Sequence, residues 1–173
     1  MQPKIRWKLP LALLFSSPML LGATLQRADF NGRLLAAHNL ERARIGVPAL
    51  GWDPSLAADA RIWANELAAT GRFEHSPDDA GKPVEGENLW AGTPRAFSPE
   101  KMVALWAAER SDYRAGIFPN NSRSGDVENV GHYTQLIWRN SRRVGCANAF
   151  GTNEEFLVCR YSEAGNITGQ RPA

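Results

Sequence analysis

The groups with the most chemical capacity are two histidines and two glutamates, His75, Glu87, Glu109 and His132. Each comes from a different segment and lies at an element's edge or beside a loop. Neutral imidazoles suit Zn, Cu or Ni, and a neighbouring carboxylate can ligate, orient a ring or activate a bound water. The chain has no HExxH or CxxC pattern, so a shared site depends on the fold gathering four segments. Glu109 is in line with the apolar stripe Met102, Leu105 and Trp106. A carboxylate there needs a cation, a histidine or a metal beside it, unless the helix end turns it into water. His38, on the apolar side of a helical stretch, suits a hydrogen-bonded structural role better than a ligand role.

Several elements must position these groups. From Leu25 to Ile45, the residues Phe30, Leu34, Ala37, Glu41 and Ile45 fall on one helical face, and Gly46 stops the run. Asp53 as N-cap and Pro54 at the first helical position open a second helix. Its face is Leu56, Ala60, Trp63 and Leu67, and Gly71 ends it. Phe73–Ser76 is a short extended piece, and Glu87–Trp90 a second short strand or turn. Ser98 and Pro99 open a third helix whose face runs on to Tyr113. Residues 114–129, rich in Gly, Asn, Ser and Asp, read as a long loop, a functional feature in many compact domains. An apolar-aromatic run from His132 to Trp138 follows. Two strands, Arg143–Phe150 and Glu155–Ser162, then flank a turn at Gly151–Glu154, and a tail from Gly165 carries no core-forming pattern.

Residues 1–23 have the form of a secretory leader. Lys4, Arg6 and Lys8 precede an apolar run that ends in small residues at Gly22–Ala23, too short and interrupted for a membrane span. Residues 24–173 then form one domain, in a secreted, extracellular or periplasmic compartment. The whole chain carries 20 Lys and Arg against 18 Asp and Glu, a net of +2, and the leader holds three of the basic residues. That leaves 17 against 18 in the remainder, with no clustered basic face for nucleic acid. Cys146 and Cys159 have one intramolecular pairing, which a hairpin would bring together in an oxidising compartment; the alternative is two buried thiols.

The chain resembles the CAP superfamily, the group of cysteine-rich secretory proteins, antigen 5 and pathogenesis-related 1 proteins, in a single-domain form of bacterial type. Gly131-His132-Tyr133-Thr134-Gln135, continuing through Trp138 to Val144-Gly145-Cys146-Ala147, is similar to the family's first signature. Ala37-His38-Asn39 with Arg42, Leu50-Gly51-Trp52-Asp53, His75-Ser76, Gly86-Glu87-Asn88-Leu89, and Trp106 with Glu109 resemble its other blocks. Tyr161 to Gly169 is a degraded second signature, with Glu163-Ala164 where prolines are usual. The resemblance implies an α+β fold, a three-layer α-β-α sandwich around a central, mostly antiparallel sheet. It also implies a cleft holding His75, Glu87, Glu109 and His132, in which the histidines bind a divalent metal, Zn foremost, with the glutamates close by. Two protein nitrogens make an open site, so the domain is expected to fold without metal.

Three functions follow. The first is a secreted binding or effector module for a lipid, a sterol or a cell-surface ligand. The second is a metal-dependent hydrolase with Glu87 or Glu109 as general base, or in a weaker variant a Ser-His-Glu set using Ser76. The third is a purely structural tetrad without metal.

Overall fold

The computed structural model describes residues 18–77, 80–81 and 83–173. The charged start and most of the apolar run of the expected leader lie outside them. Among the described residues, four helices and four strands follow in the order α1 (Pro18–Ile45), β1 (Gly51–Trp52), α2 (Pro54–Thr70), β2 (Gly86–Gly92), α3 (Pro99–Ala108), α4 (Gly131–Leu136), β3 (Arg143–Phe150) and β4 (Glu155–Ser162). The strands form one sheet in the order β1-β3-β4-β2, with β1 parallel to β3 and the other pairs antiparallel. Period-two alternation divides the core between the two faces. Ala147, Ala149, Phe156 and Val158 meet α2 through Ala60, Ala64 and Leu67. On the other face Val144, Cys146, Leu157, Cys159 and Tyr161 meet α1, α3 and α4 through Leu34, Met102, Trp106 and Leu136. This is the expected α-β-α sandwich with a mostly antiparallel sheet.

Local chemistry sets the helix bounds. The Asp53 side chain accepts from the Ser55 and Leu56 amides, Pro54 occupies the first turn, and Gly71 ends α2 at φ 69° with its amide on the Leu67 carbonyl. Ser98 caps α3 through the Lys101 amide. A Cβ on Gly145 would fall 2.2 Å from the Ala57 backbone nitrogen, so β3 can carry no side chain where the first turn of α2 rests on it.

The elements depart from the sequence-based expectation in three places. Helix α1 reaches past Leu25 to Pro18, α3 ends at Ala108 in a 3-10 turn (Glu109–Ser111), and the run after His132 opens as helix α4. The stretch before α4 is not featureless. The Asp112 carboxylate accepts from the Ser122 and Ser124 hydroxyls at 2.5 and 2.6 Å and from the Ser124 amide at 2.9 Å. A 3-10 turn at Val127–Val130 then leads into α4.

Cys146 and Cys159 are register partners on β3 and β4 with Cα atoms 4.1 Å apart, and they are disulfide-bonded and buried. They are separated by 13 positions, and closing so short a loop is worth about 3 kcal/mol on the chain-entropy estimate. Replacing both cysteines by alanine is expected to lower unfolding free energy by that order in urea titration. A loss below about 1 kcal/mol would show that the link constrains the unfolded chain little.

Candidate functional site

The four candidate residues form two imidazole–carboxylate pairs. His75 lies in the segment after α2, which Trp63 holds to the helix by donating Nε1–H to the Glu74 carbonyl. Glu87 is near the start of β2. Its Oε1 accepts from His75 Nδ1 at 2.5 Å and from the Ser76 amide at 3.2 Å. The second pair sits where α3 gives way to its 3-10 turn and α4 begins: Glu109 Oε1 takes His132 Nδ1 at 2.6 Å, and Oε2 takes the Tyr133 amide at 3.0 Å. Glu109 thus has the histidine partner its place on the apolar stripe called for. Trp106, fixed by donating to the Leu89 carbonyl, lies nearly parallel to the His132 ring, with centroids 6.2 Å apart at 11°. A link between the two neighbourhoods runs through Asn88, which donates to the His132 carbonyl.

A carboxylate can only accept, so each Nδ1 carries the hydrogen and each neutral ring keeps its lone pair on Nε2. The Glu87 hydrogen bond raises the His75 pKa above its ordinary value, against burial and the Arg160 charge, which lower it. Glu87 is 7% exposed and Glu109 20%, against 66% and 33% for their histidines. The carboxylates are therefore the inner members of both pairs. Among the described residues, no three of the four side chains bring a ligand atom each within 4.8 Å of one another.

One group of side chains does meet that distance, His38 with Cys146 and Cys159. Its chemistry does not fit a metal. The sulfurs are spent in the disulfide, His38 Nδ1 donates to the Leu34 carbonyl, and Nε2 accepts from the Tyr161 hydroxyl, both at 2.8 Å. His38 has the structural role expected of it, and burial pushes its pKa down to about 4.

Beside the first pair lies an open groove of about 750 Å³. Its lining is mixed, with apolar surface from Ile62, Trp63, Pro77, Pro83 and Val84 and polar groups from Asp59, Glu85, Glu87, Gln135, Arg160 and Asn166. His75 and Glu87 line this groove, whereas Glu109 and His132 are not among its lining residues. Arg160 went unnoticed in the sequence because its role depends on strand register. It faces Glu87 across the β2–β4 ladder, places Nε 3.1 Å from Glu87 Oε2, and donates Nη2–H to Ser76 Oγ at 2.8 Å. The Ser76 hydroxyl is therefore held by a guanidinium.

Among the described residues no helix is long and apolar enough to cross a membrane. Residues 35–161 match the family described as CAP, cysteine-rich secretory protein family. A pathogenesis-related protein of PR-1 type from Sambucus nigra is 42% identical over 137 residues, 79% of this chain and 77% of the relative. Pathogenesis-related protein 1C from Nicotiana tabacum is 40% identical over 139 residues, 80% of this chain and 77% of that one. Among solved structures, NaASP2 with Zn2+ superposes with a TM-score of 0.69 at 22% identity over 82% of this chain and 83% of that one. The hookworm platelet inhibitor superposes at 0.66 and 16% identity, over 83% and 74%.

Proposed function

From the premise that the chain belongs to the CAP family of cysteine-rich secretory proteins, we propose that it is an exported binding module whose His75 and His132 take a divalent cation, zinc by donor type. The observation that carries this reading is the shared geometry of the two rings: each gives Nδ1 to a glutamate and keeps Nε2 for a ligand. Such an outer carboxylate fixes the tautomer and raises the ring's strength as a donor. That NaASP2 has been solved with Zn2+ in the same fold supports the choice of metal. When bound, the ion would supply Lewis acidity and open positions for an oxygen ligand. The chain's own part is to hold the rings, through Glu87, Glu109 and the Trp106 face.

Export would follow removal of residues 1–23, which leaves the packed part of α1, from Phe30 onward, in place. The ligand is extracellular or periplasmic and enters the groove beside His75. A sterol or fatty acid suits only the apolar lining residues and would set hydrocarbon against Asp59, Glu85, Gln135 and Asn166, which line the same groove, an unfavourable exchange. A hydrolase reading needs a carboxylate oxygen free and accessible to take a proton. Both Glu109 oxygens already hold donors, and Glu87 Oε2, which holds none, is buried 3.1 Å from Arg160 Nε. The binding reading therefore fits the geometry better.

Titration calorimetry with Zn(II) on chelator-treated protein tests this. A saturable heat is expected in the parent chain, at least about tenfold weaker in His75→Ala and in His132→Ala, and about 10–100-fold weaker in Glu109→Gln. No heat in the parent, or undiminished heat in both histidine variants, would remove the metal from the reading.

A further inference from the structure

Glu41 interrupts the apolar face of α1, and neither imidazole–carboxylate pair contains it. Its side chain is only 8% exposed. One of its oxygens gathers donors from two distant segments. Arg110 gives Nη1–H to Oε1 at 2.9 Å, and the Tyr133 hydroxyl makes a long hydrogen bond to the same oxygen at 3.4 Å. Arg44 Nη1 stands 3.8 Å from Oε2. The two donors are chain neighbours of the second pair: Arg110 follows Glu109, and Tyr133 follows His132.

The second pair needs such support more than the first. Glu87 belongs to a seven-residue strand whose ladder with β4 fixes its place. Glu109 instead opens a three-residue 3-10 turn, and His132 comes second in a six-residue helix. Segments that short do not hold their own alignment, because the hydrogen bonds of one turn barely offset the cost of ordering it. Glu109 Oε1 and His132 Nδ1 are 2.6 Å apart, so a slip of about 1 Å between the two segments breaks their bond. Helix α1, 28 residues long and packed on the core from Phe30 onward, is the rigid neighbour. A buried carboxylate is a costly way to join elements, since an apolar side chain fills the same space without desolvation. What the carboxylate adds is direction: a charge-assisted bond sets where Arg110 lies, and with it the turn.

We propose that Glu41 is a positioning residue for the Glu109–His132 pair. It fastens Arg110 and Tyr133 to α1 and thereby holds the 3-10 turn against the start of α4, where Glu109 reaches both His132 Nδ1 and the Tyr133 amide. Tyr133 is held at both ends, its amide by Glu109 and its hydroxyl by Glu41. Tyr113 packs edge-on against that ring, with centroids 5.2 Å apart. The consequence for the site is a fixed tautomer: with Nδ1–H bound to Glu109, the His132 lone pair stays on Nε2. The His75 ring takes its partner from the sheet instead and serves as the internal control. This inference rests on reading His132 as a metal-binding ring and names what keeps that ring in its binding form.

The test is long-range proton–nitrogen NMR of the full chain with both rings neutral, which reads which ring nitrogen carries the hydrogen. Both rings are expected as Nδ1–H in the parent. Glu41→Leu is expected to raise the Nε2–H fraction of His132 by at least about 20% while His75 keeps its tautomer. Glu41→Gln keeps an acceptor oxygen for Arg110 and Tyr133, and is expected to show under half of that shift. If thermal unfolding shows that Glu41→Leu does not fold, Arg110→Met decides: the position is half exposed, and the variant is expected to move His132 the same way. Overturning results are a parent His132 in the Nε2–H form, a His132 tautomer unmoved in the deciding variant, or equal shifts in both histidines, which would mean a general loosening. Zn(II) titration of the same samples, expected to be at least about threefold weaker in Glu41→Leu, keeps the two readings apart. A parent that binds no zinc removes the metal while the tautomer result stands. Zinc binding by a parent whose His132 ignores Glu41→Leu removes the positioning role alone.

Discussion

Arg42→Met is expected to lower the stability of the domain by at least about 4 kcal/mol, a large part of the roughly 5–15 kcal/mol such domains possess. The side chain is wholly buried and, among the described residues, forms no ion pair with a carboxylate. Its guanidinium instead donates to four carbonyls, those of Pro48, Leu136, Trp138 and Ser141, at 2.7–3.0 Å. Two of these close the C-terminal end of α4, where helix carbonyls have no partner of their own and a cation is favourable. Methionine fills much of the volume but takes the donor from all four carbonyls; Trp138 keeps the Ser141 amide, and the other three lose the guanidinium at about 1–3 kcal/mol for each fully buried group. Burial lowers the Arg42 pKa to about 10, so the guanidinium stays charged at neutral pH. Arg42→Lys is expected to recover under half of the loss, since three donors on one nitrogen cannot span four acceptors on separate segments. Urea unfolding decides the matter: a midpoint in Arg42→Met that corresponds to less than about 1 kcal/mol would mean that water replaces the guanidinium. Because α4 carries His132, the variant should also broaden the NMR signals of that ring.

The second large effect is acid sensitivity centred on His38. The ring is buried, donates to Leu34, accepts from Tyr161, and has its pKa depressed from 6.5 to about 4, chiefly by burial, with the Arg42 charge adding to it. Between those values the unfolded chain binds a proton that the folded chain refuses. The contribution of His38 is thus fully present above pH 6.5 and is lost as pH falls toward 4, by roughly 3 kcal/mol in all. Stability measured against pH in parent and His38→Gln should differ in slope over that window, and a His38 NMR titration should find the ring neutral at pH 5. Equal slopes in the two chains, or a ring that titrates near 6.5, would refute the assignment.

Much of the architecture was legible in the chain because it follows from local rules. The Asp53–Pro54 and Ser98–Pro99 starts, the Gly71 stop and the hairpin around Gly151–Glu154 depend on capping, turn chemistry and period-two alternation, which act within a few residues. The pairing of Cys146 with Cys159 follows once that hairpin exists. The buried face of α1 was also readable, apart from Glu41, which seemed to interrupt it. In the fold that carboxylate is a buried acceptor for Arg110 and Tyr133, contacts supplied from 69 and 92 positions away. The tail after Gly165 lacked any apolar pattern because backbone hydrogen bonds hold it, Gln170 to Phe118 and Pro172 to Arg139. Periodicity does not register such bonds.

The sequence by itself determined which residues could act, His75, Glu87, Glu109 and His132, and that Glu109 needed a partner, because residue type and local burial pattern are properties of a segment. Only the tertiary structure decided how they are divided. Glu87 serves His75, Glu109 serves His132, and Arg160 joins the first pair alone, since each of these contacts is set by strand register or by where α3 ends against α4. The same cause separates the histidines by role. His38 was recognisable as structural from its helical face, but its neutrality at moderate acidity comes from burial, which the fold completes with residues such as Tyr161, brought to it by a strand 123 positions later. Donor types can be read along a chain. Which donors share one volume of low dielectric, and which keep a lone pair for something else, depends on contacts that no single segment contains.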